Sequence, residues 1–283
     1  MRDSGTNIQS DRLSATPKIA FLFLIYDSIN QEDLWSQFFK NVDPEKYSIH
    51  IHYKSNKKLK HFEDHKLSKC IRTKYAHVSI IHAHNALIQS ALEDPANTKF
   101  INLSQACIPL KPFDDIYSAL TKDNYAHFNI LPQEQCFPRC KRLLQYIPED
   151  KISKSYNWFI LNRHLAQMLS RQSKSYINQR YKKIFCPEEH YYISELLLME
   201  AMDQVRATFN KTDEATTFTN WSDMSYRFPS EKNLKTYTSI SPEEVDHLLK
   251  APCLFGRKFE ASCVVDTPSQ TPLSDYLGNR IAN

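Results

Sequence analysis

The stretch Lys18-Ile-Ala-Phe-Leu-Phe-Leu-Ile-Tyr26 decides how the rest of the chain is interpreted. It is short, almost wholly apolar and bounded by polar residues, as in a strand that is covered on both faces of a parallel sheet. A helix is predicted over Glu32–Lys40 and a second strand over Tyr47–Tyr53. Because strand and helix alternate through the first 130 or so residues, the sequence predicts an α/β fold, a mostly parallel Rossmann-like sheet flanked by helices.

The remaining elements follow from the same patterns. Ser79 is predicted to cap a helix that reaches about Leu92. Later helices are predicted over Trp158–Leu169 and Pro187–Ala207. We expect residues 1–16 to be a disordered lead, residues 17–263 to form a single domain, and residues 264–283 to be a C-terminal tail.

Charge and hydrophobic content limit the class of protein. The chain has 283 residues, of which 41% are hydrophobic, enough for a sizeable core. The net charge of +4 suits anionic ligands, but basic and acidic residues run throughout, so no nucleic-acid partner is expected. The lysine-rich stretch Lys54–Lys60 is interpreted as a solvated loop.

Glycine is scarce enough to exclude two kinds of nucleotide site. The chain holds three glycines: Gly5, Gly256 and Gly278. A dinucleotide-binding loop or a P-loop needs clustered glycines, so that backbone amides can approach phosphate. If the protein binds a nucleotide, side chains must therefore bind the phosphates.

Cysteine usage and the N-terminal region bear on location. Seven scattered cysteines, an odd number without a second pair at zinc spacing, favour free thiols. Residues 1–16 are polar, and the apolar run Ile19–Tyr26 is far shorter than the roughly 20 residues that a membrane span needs. We expect a soluble, cytoplasmic protein with no transmembrane segment.

Several segments together resemble the core-2/I-branching enzyme family, glycosyltransferase family 14, and in particular its plant and microbial branch. The similarity covers about residues 18 to 260, and its motifs occur in the order that the family has. They are the first strand with Tyr26, Tyr47-Ser-Ile-His-Ile-His52, Ala91-Leu-Glu-Asp-Pro95, Leu103-Ser-Gln-Ala-Cys-Ile-Pro-Leu110, Asn157-Trp-Phe-Ile-Leu-Asn-Arg-His164, Pro187-Glu-Glu-His-Tyr191, Thr219-Asn-Trp221 and Cys253-Leu-Phe-Gly-Arg-Lys-Phe259.

The resemblance implies a GT-A-like fold and an inverting transfer of a sugar from a UDP-sugar to a glycan or glycoconjugate hydroxyl, without cofactor or metal. N-acetylglucosamine is the first expectation for the sugar, with xylose and glucuronic acid as alternatives. The sequence agrees on the metal, because no Asp-x-Asp motif occurs; the nearest pattern is Glu244-Val-Asp246. The alternative is a catalytically silent member that binds carbohydrate or protein. The oligomeric state stays open.

The resemblance also implies roles for individual residues. Glu189, the second carboxylate of its motif, corresponds to the general base, and its neighbour Glu188 is expected to raise its pKa. Lys258 corresponds to the lysine that binds the diphosphate. The second cation there is left open between three residues: Lys235, Arg257 and Arg227.

The nucleotide and the acceptor have their own candidate residues. The nucleotide is expected to contact residues at strand ends, namely Tyr26, His52, Ser104 and Gln105. The acceptor is expected to contact charged and indole side chains, namely Arg139, Arg142, Trp158 and Trp221. Each tryptophan could equally belong to the core.

Overall fold

The computed structural model describes residues 16–136, 139–221 and 234–281. The predicted disordered lead therefore lies almost wholly outside the described residues, as does Arg227. The helices are α1 (Glu32–Phe39), α2 (Ser79–Leu92), α3 (Phe113–Thr121), α4 (Arg163–Ser170), α5 (Lys174–Tyr181), α6 (Glu188–Leu198), α7 (Pro242–Lys250) and α8 (Leu273–Ile281). The strands are β1 (Lys18–Ile25), β2 (Tyr47–Tyr53), β3 (Asn97–Ser104), β4 (Ile108–Pro109), β5 (Ala126–Leu131), β6 (Lys154–Ser155), β7 (Ile160–Asn162), β8 (Val205–Phe209), β9 (Thr217–Thr219), β10 (Tyr237–Ile240), β11 (Phe255–Arg257), β12 (Phe259–Val265) and β13 (Thr271–Pro272).

A mixed sheet forms the centre of the fold. Its order is β2-β1-β3-β7-β5-β6, and β8 pairs with β5. The long pairings, β1 with β2, β1 with β3 and β5 with β8, are parallel. The antiparallel pairings of β7 and β6 are short. The predicted α/β class with a mostly parallel sheet flanked by helices is therefore confirmed.

Two small sheets bring the C-terminal part of the chain to the central sheet. One has the order β4-β11-β9, so β11 pairs with the chain that has just left β3. The other has the order β10-β12-β13. The segment that carries Arg257 and Lys258 is thereby placed beside the carboxyl end of β3.

Both faces of the central sheet are covered. One face packs an aromatic cluster from β1, α1 and α3, in which the Trp35 and Phe23 rings lie 5.0 Å apart, edge to face. The indole N–H of Trp35 donates to the Cys107 carbonyl at 2.9 Å, so burial leaves no orphaned donor there. The other face packs against α2, α4 and α6. A strand between two covered faces is expected to be mostly apolar, as β1 is after Lys18.

Three local predictions are wrong. The stretch Trp158–Leu169 is not one helix, because β7 precedes α4. The stretch Pro187–Ala207 holds α6 and then β8, and the chain leaves the helix at Glu200, which has φ 53°. Ser79 is the first residue of α2 and not its cap; its hydroxyl instead accepts the Lys74 backbone N–H.

The predicted C-terminal tail belongs to the core. On α8, Leu273, Leu277 and Ile281 are almost fully buried, and they join the cluster that contains α1. The first helical turn follows β13, which pairs with β12. The boundary predicted at residue 263 is therefore too early, since packed structure continues to Ile281.

Within the described ranges, no helix combines the length and apolar character that crossing a bilayer requires. The seven cysteines are free thiols, as predicted, and all but Cys70 are buried.

Candidate active site

The carboxyl ends of β1 and β3 form an open edge, with Leu24 opposite Ser104. Directly beyond it, the Tyr26 backbone N–H donates to Gln105 Oε1 at 2.8 Å. The Tyr26 ring is 53% exposed, and Lys54 Nζ lies 4.8 Å from its centroid. Ligands of α/β sheets bind in the crevice outside the carboxyl ends of the strands. Tyr26 and Gln105 therefore lie where a nucleotide would be held.

Ser104 shapes this edge through its own turn. Its hydroxyl accepts the Ala106 backbone N–H at 3.3 Å and lies 3.3 Å from Cys107 Sγ. The side chain is partly buried, so its described contacts fix the loop that carries Gln105.

His52, another predicted nucleotide contact, lies inside the protein. Its side chain is fully buried, and Nε2 accepts the Ile71 backbone N–H at 2.8 Å. Burial lowers the pKa of His52 to about 4, so the ring is neutral. The structure does not bring His52 to the open edge; the ring holds the chain that follows β2 in place.

Lys258 is held next to the same edge by backbone bonds on both sides. The Phe259 N–H donates to the Ala106 carbonyl at 3.0 Å, one residue from Gln105. The Lys258 carbonyl accepts the Tyr237 N–H at 2.7 Å. A cation thus stands beside the candidate nucleotide site.

Arg257 and Trp158 are brought together, although they were predicted to serve different ligands. The guanidinium carbon lies 3.8 Å from the centroid of the Trp158 ring. Desolvation lowers the pKa of Arg257 to about 10, and its buried Nε has no hydrogen-bond partner among the described residues. One face of Trp158 is therefore covered by a cation rather than open to a sugar.

Lys235 lies on the Lys258 side of the site. Its Nζ is 3.5 Å from Glu244 Oε1 and 4.4 Å from the Tyr237 ring centroid. Because Tyr237 also bonds to the Lys258 carbonyl, the two lysines belong to one local arrangement. The ion pair with Glu244 would have to open before Lys235 could bind a phosphate.

Glu189 lies in the first turn of α6, where its carboxylate faces two cations. Its Oε2 is 3.4 Å from Lys154 Nζ and 3.9 Å from Arg139 Nη1. The Glu189 side chain keeps 24% of its surface exposed, so a ligand can reach it. Arg139, predicted to bind the acceptor, thus stands beside the predicted base, whereas Arg142 is exposed on the next short 3₁₀ turn.

Glu188 has a different environment from its neighbour. The side chain is buried, and an Asn157 side chain hydrogen-bonds to it. Its Oε2 has no hydrogen-bond partner among the described residues. Burial above all, with the nearby charge of Glu189, raises the pKa of Glu188 to about 7.

His190 ties α6 to the segment that carries Lys154. Its ring is fully buried, and Nδ1 lies 3.0 Å from the Ser153 carbonyl, to which it donates. Desolvation lowers the pKa of His190 to about 4, so the neutral ring is a structural donor. This bond fixes Ser153, and with it the position of Lys154 beside Glu189.

A stacked aromatic pair connects Glu189 to the lysines. The Tyr156 and Trp221 rings lie 5.8 Å apart with their planes at 22°. Burial, and then the charge of Glu189, raise the pKa of the Tyr156 phenol, which places Tyr156 near the carboxylate. Trp221 follows Asn220, whose carbonyl accepts the Lys235 backbone N–H at 2.7 Å. Base and phosphate-binding candidates therefore share one continuous site.

Sequence reasoning missed Lys154, Tyr156 and Asn157, which approach the two glutamates from β6 and the residues that follow it. The available signal was their position, since Lys154 and Tyr156 come just before the motif that contains Trp158 and Asn157 is the first residue of that motif. In the described part of the chain, no three His, Cys, Asp or Glu side chains are grouped so that they could hold a metal ion.

A family model described as Core-2/I-Branching enzyme matches residues 19–249. The chain belongs to this family. The match covers most of the chain, including the segments that hold Tyr26, Gln105, Glu189 and Lys235. The family resemblance that the motifs suggested is therefore confirmed.

A curated relative carries the name of a glycosyltransferase. The chain is 23% identical over 159 residues to a protein of Oryza sativa subsp. japonica called glycosyltransferase BC10. The alignment covers 54% of this chain and 40% of the rice protein, so this member of the Core-2/I-Branching family matches less than half of that relative.

Solved structures are similar at a greater distance. One is the galactosyltransferase LgtC, solved with donor and acceptor sugar analogues. It is 10% identical to this chain with a TM-score of 0.45, and the alignment covers 94% of this chain and 97% of LgtC. Another is a glycosyltransferase involved in glycosylation of the major capsid of PBCV-1. It is 8% identical with a TM-score of 0.39, and the alignment covers 84% of this chain and 92% of that chain. These likenesses are distant, and the family match carries the assignment.

Proposed function

We propose that this Core-2/I-Branching family protein is an inverting, metal-independent glycosyltransferase. It moves a sugar from a UDP-sugar to a hydroxyl group of a glycan acceptor, and N-acetylglucosamine is the first candidate sugar, ahead of xylose and glucuronic acid. The observation that supports this most is that the Glu189 charge acts on Tyr156, that Tyr156 stacks on Trp221, and that the neighbouring Asn220 carbonyl accepts the Lys235 backbone N–H.

Glu189 is the proposed general base. The acceptor oxygen attacks the anomeric carbon on the face opposite the nucleotide, and its proton passes to the Glu189 carboxylate. Lys154 and Arg139, both against Oε2, orient that carboxylate, while the exposed part of the side chain leaves room for the acceptor.

Lys258 is the proposed partner of the leaving group. As the bond from the anomeric carbon to the phosphate oxygen breaks, the electron pair leaves with UDP and negative charge grows on its diphosphate. Lys258 stands beside the strand edge where Tyr26 and Gln105 would hold the nucleotide. Lys235 can supply a second positive charge if its Glu244 ion pair opens, and two cations can replace the charge of a metal.

Turnover in the presence of EDTA tests this proposal. Purified protein is incubated with a panel of UDP-sugars and mono- and disaccharide acceptors, and release of UDP is measured. We expect one donor to be consumed in EDTA, with Glu189→Gln lowering kcat by about 100-fold or more, within the range that general base catalysis contributes.

Glu200→Gln is the matched control, because Glu200 is an exposed carboxylate beyond the C-terminal end of α6. Turnover that survives Glu189→Gln would refute the assigned base, and turnover that requires a divalent ion would refute metal independence. UDP-sugar binding without turnover of any acceptor would support the alternative, a silent binding protein.

A further inference from the structure

Tyr75 and Phe185 form an exposed aromatic pair beside the candidate active site. Tyr75 is 82% exposed and Phe185 is 49% exposed. Their ring centroids lie 6.4 Å apart, and the ring planes meet at 78°. Such a pair forms an open corner rather than a closed stack. Adjacent large apolar side chains that remain this exposed mark a contact surface.

Arg139 connects this aromatic corner to Glu189. Its guanidinium carbon lies 5.2 Å from the Phe185 ring centroid, and its Nη1 lies 3.9 Å from Glu189 Oε2. The charges of Glu189 and Glu188 also act on the Tyr75 phenol. The corner is therefore one arginine side chain away from the carboxylate that would receive the acceptor's proton.

The local backbone fixes this spacing. Phe185 comes just before Cys186, which turns the chain with φ 50°, and α6 begins two residues later at Glu188. Phe185 and Glu189 therefore hold a set relation at the start of one helix, and Tyr75 completes the corner from the loop that precedes α2.

The corner offers what one sugar unit requires. A pyranose ring has a face of C–H groups that packs on aromatic rings, and its edge of hydroxyl groups needs donors and acceptors. Here the two rings supply the apolar contact, and the Arg139 guanidinium supplies donors toward the Glu189 side.

We propose that Tyr75 and Phe185 bind the sugar unit of the acceptor that is next to the unit carrying the attacking hydroxyl. This proposal rests on the proposed function for the identity of the reacting unit. It implies that the protein prefers acceptors of at least two sugars, since a monosaccharide at Glu189 would leave the corner empty.

Binding measurements on the intact protein without donor test the proposal. Saturation-transfer NMR is used to determine Kd for methyl glycosides of galactose, glucose and N-acetylglucosamine and for the matched disaccharides. We expect Tyr75→Ala and Phe185→Ala each to raise the Kd of the bound disaccharide about 10-fold, and that of the monosaccharide less than about 2-fold.

Two variants control for loss of an exposed ring and for misfolding. Phe209→Ala removes a ring that is 66% exposed on β8 and should leave every Kd unchanged. Phe185→Tyr keeps a ring at the corner and should restore disaccharide binding. Equal effects on mono- and disaccharide, no effect of either ring, or no disaccharide binding to the parent would overturn the proposal. A parent dimer that the Tyr75 and Phe185 variants dissociate would also overturn it.

The two proposals fail separately. Disaccharide binding that depends on both rings, in a protein with no turnover of any UDP-sugar, would keep the sugar site and refute the transferase. Turnover whose acceptor KM is the same in Tyr75→Ala and Phe185→Ala would refute the sugar site alone.

Discussion

Replacing Glu188 by glutamine should stabilise the protein at neutral and alkaline pH. In the unfolded chain the carboxyl ionises near its ordinary pKa of 4.5, whereas burial raises the pKa in the folded protein to about 7. As the pH rises through this window, the folded protein retains a proton that the unfolded chain has released. The Glu188 contribution to the free energy of unfolding therefore falls with rising pH and becomes constant above about pH 7.

The magnitude follows from the two pKa values of Glu188. Their difference means that the ionised Glu188 carboxylate lowers the free energy of unfolding by about 3 kcal/mol. Glutamine has the same shape, can still accept the Asn157 hydrogen bond and carries no charge. At about pH 8, Glu188→Gln should therefore raise the free energy of unfolding by up to about 3 kcal/mol and Tm by about 6 °C.

The assay is urea unfolding, followed by fluorescence, at several pH values between about 4.5 and 8. The two proteins should approach each other at the acid end of this range, because Glu188 is then protonated in the folded parent and about half protonated in the unfolded parent. Glu189→Gln, which keeps Glu188, should retain most of the pH slope of the parent, because burial is the main cause of the raised pKa of Glu188 and the charge of Glu189 is a smaller one. The reasoning is refuted if Glu188→Gln shows the same slope as the parent, or if it is no more stable at the alkaline end.

Two further substitutions test other contacts. Lys154→Met removes the cation 3.4 Å from Glu189 and should lower kcat/KM at least about 10-fold. Lys154→Arg should recover most of the lost kcat/KM. Unchanged turnover in Lys154→Met would show that this cation does not assist the proposed base. Leu277→Ala on α8 should cost about 2–5 kcal/mol of stability by thermal unfolding, because this side chain is almost fully buried. Exposed Asn279→Ala on the same helix should change stability by less than about 0.5 kcal/mol, and equal effects would contradict the packing of α8.

The first half of the fold could be predicted because its strands are long and apolar. Strand β2 has the predicted bounds, and β1 differs from its prediction by one residue. Strand β7 was missed because its three residues, Ile160, Leu161 and Asn162, are too few to show a period that separates them from the helix that follows. The burial of His52 could not be predicted either, because the alternation of apolar and polar residues in β2 does not show that both faces of this strand are covered.

The candidate site divides in the same way. The motif that holds Glu189 stands out because it lies within the residues that match the family model, whereas the segment that holds Lys258 lies beyond residue 249 and was predicted from the motif resemblance alone. Lys154, Tyr75 and Phe185 have no such signal, because they lie on short connecting segments whose place depends on the tertiary fold. By contrast, the buried residues of α8 follow a helical spacing, so the sequence did contain a signal for this part of the core. They are Leu273, Leu277 and Ile281.

The contacts between Asn30, Ala106 and Phe259 bear on how the protein matures. The Asn30 amide donates to the Phe259 carbonyl across 229 positions of sequence, and the Phe259 N–H closes the same edge on Ala106. During synthesis on the ribosome, strands β1 and β3 emerge long before the segment that holds Phe259. The edge at the carboxyl ends of β1 and β3 is therefore completed only after residue 259 has been synthesised, and a product that terminates before Lys258 would lack the cation proposed to bind the diphosphate.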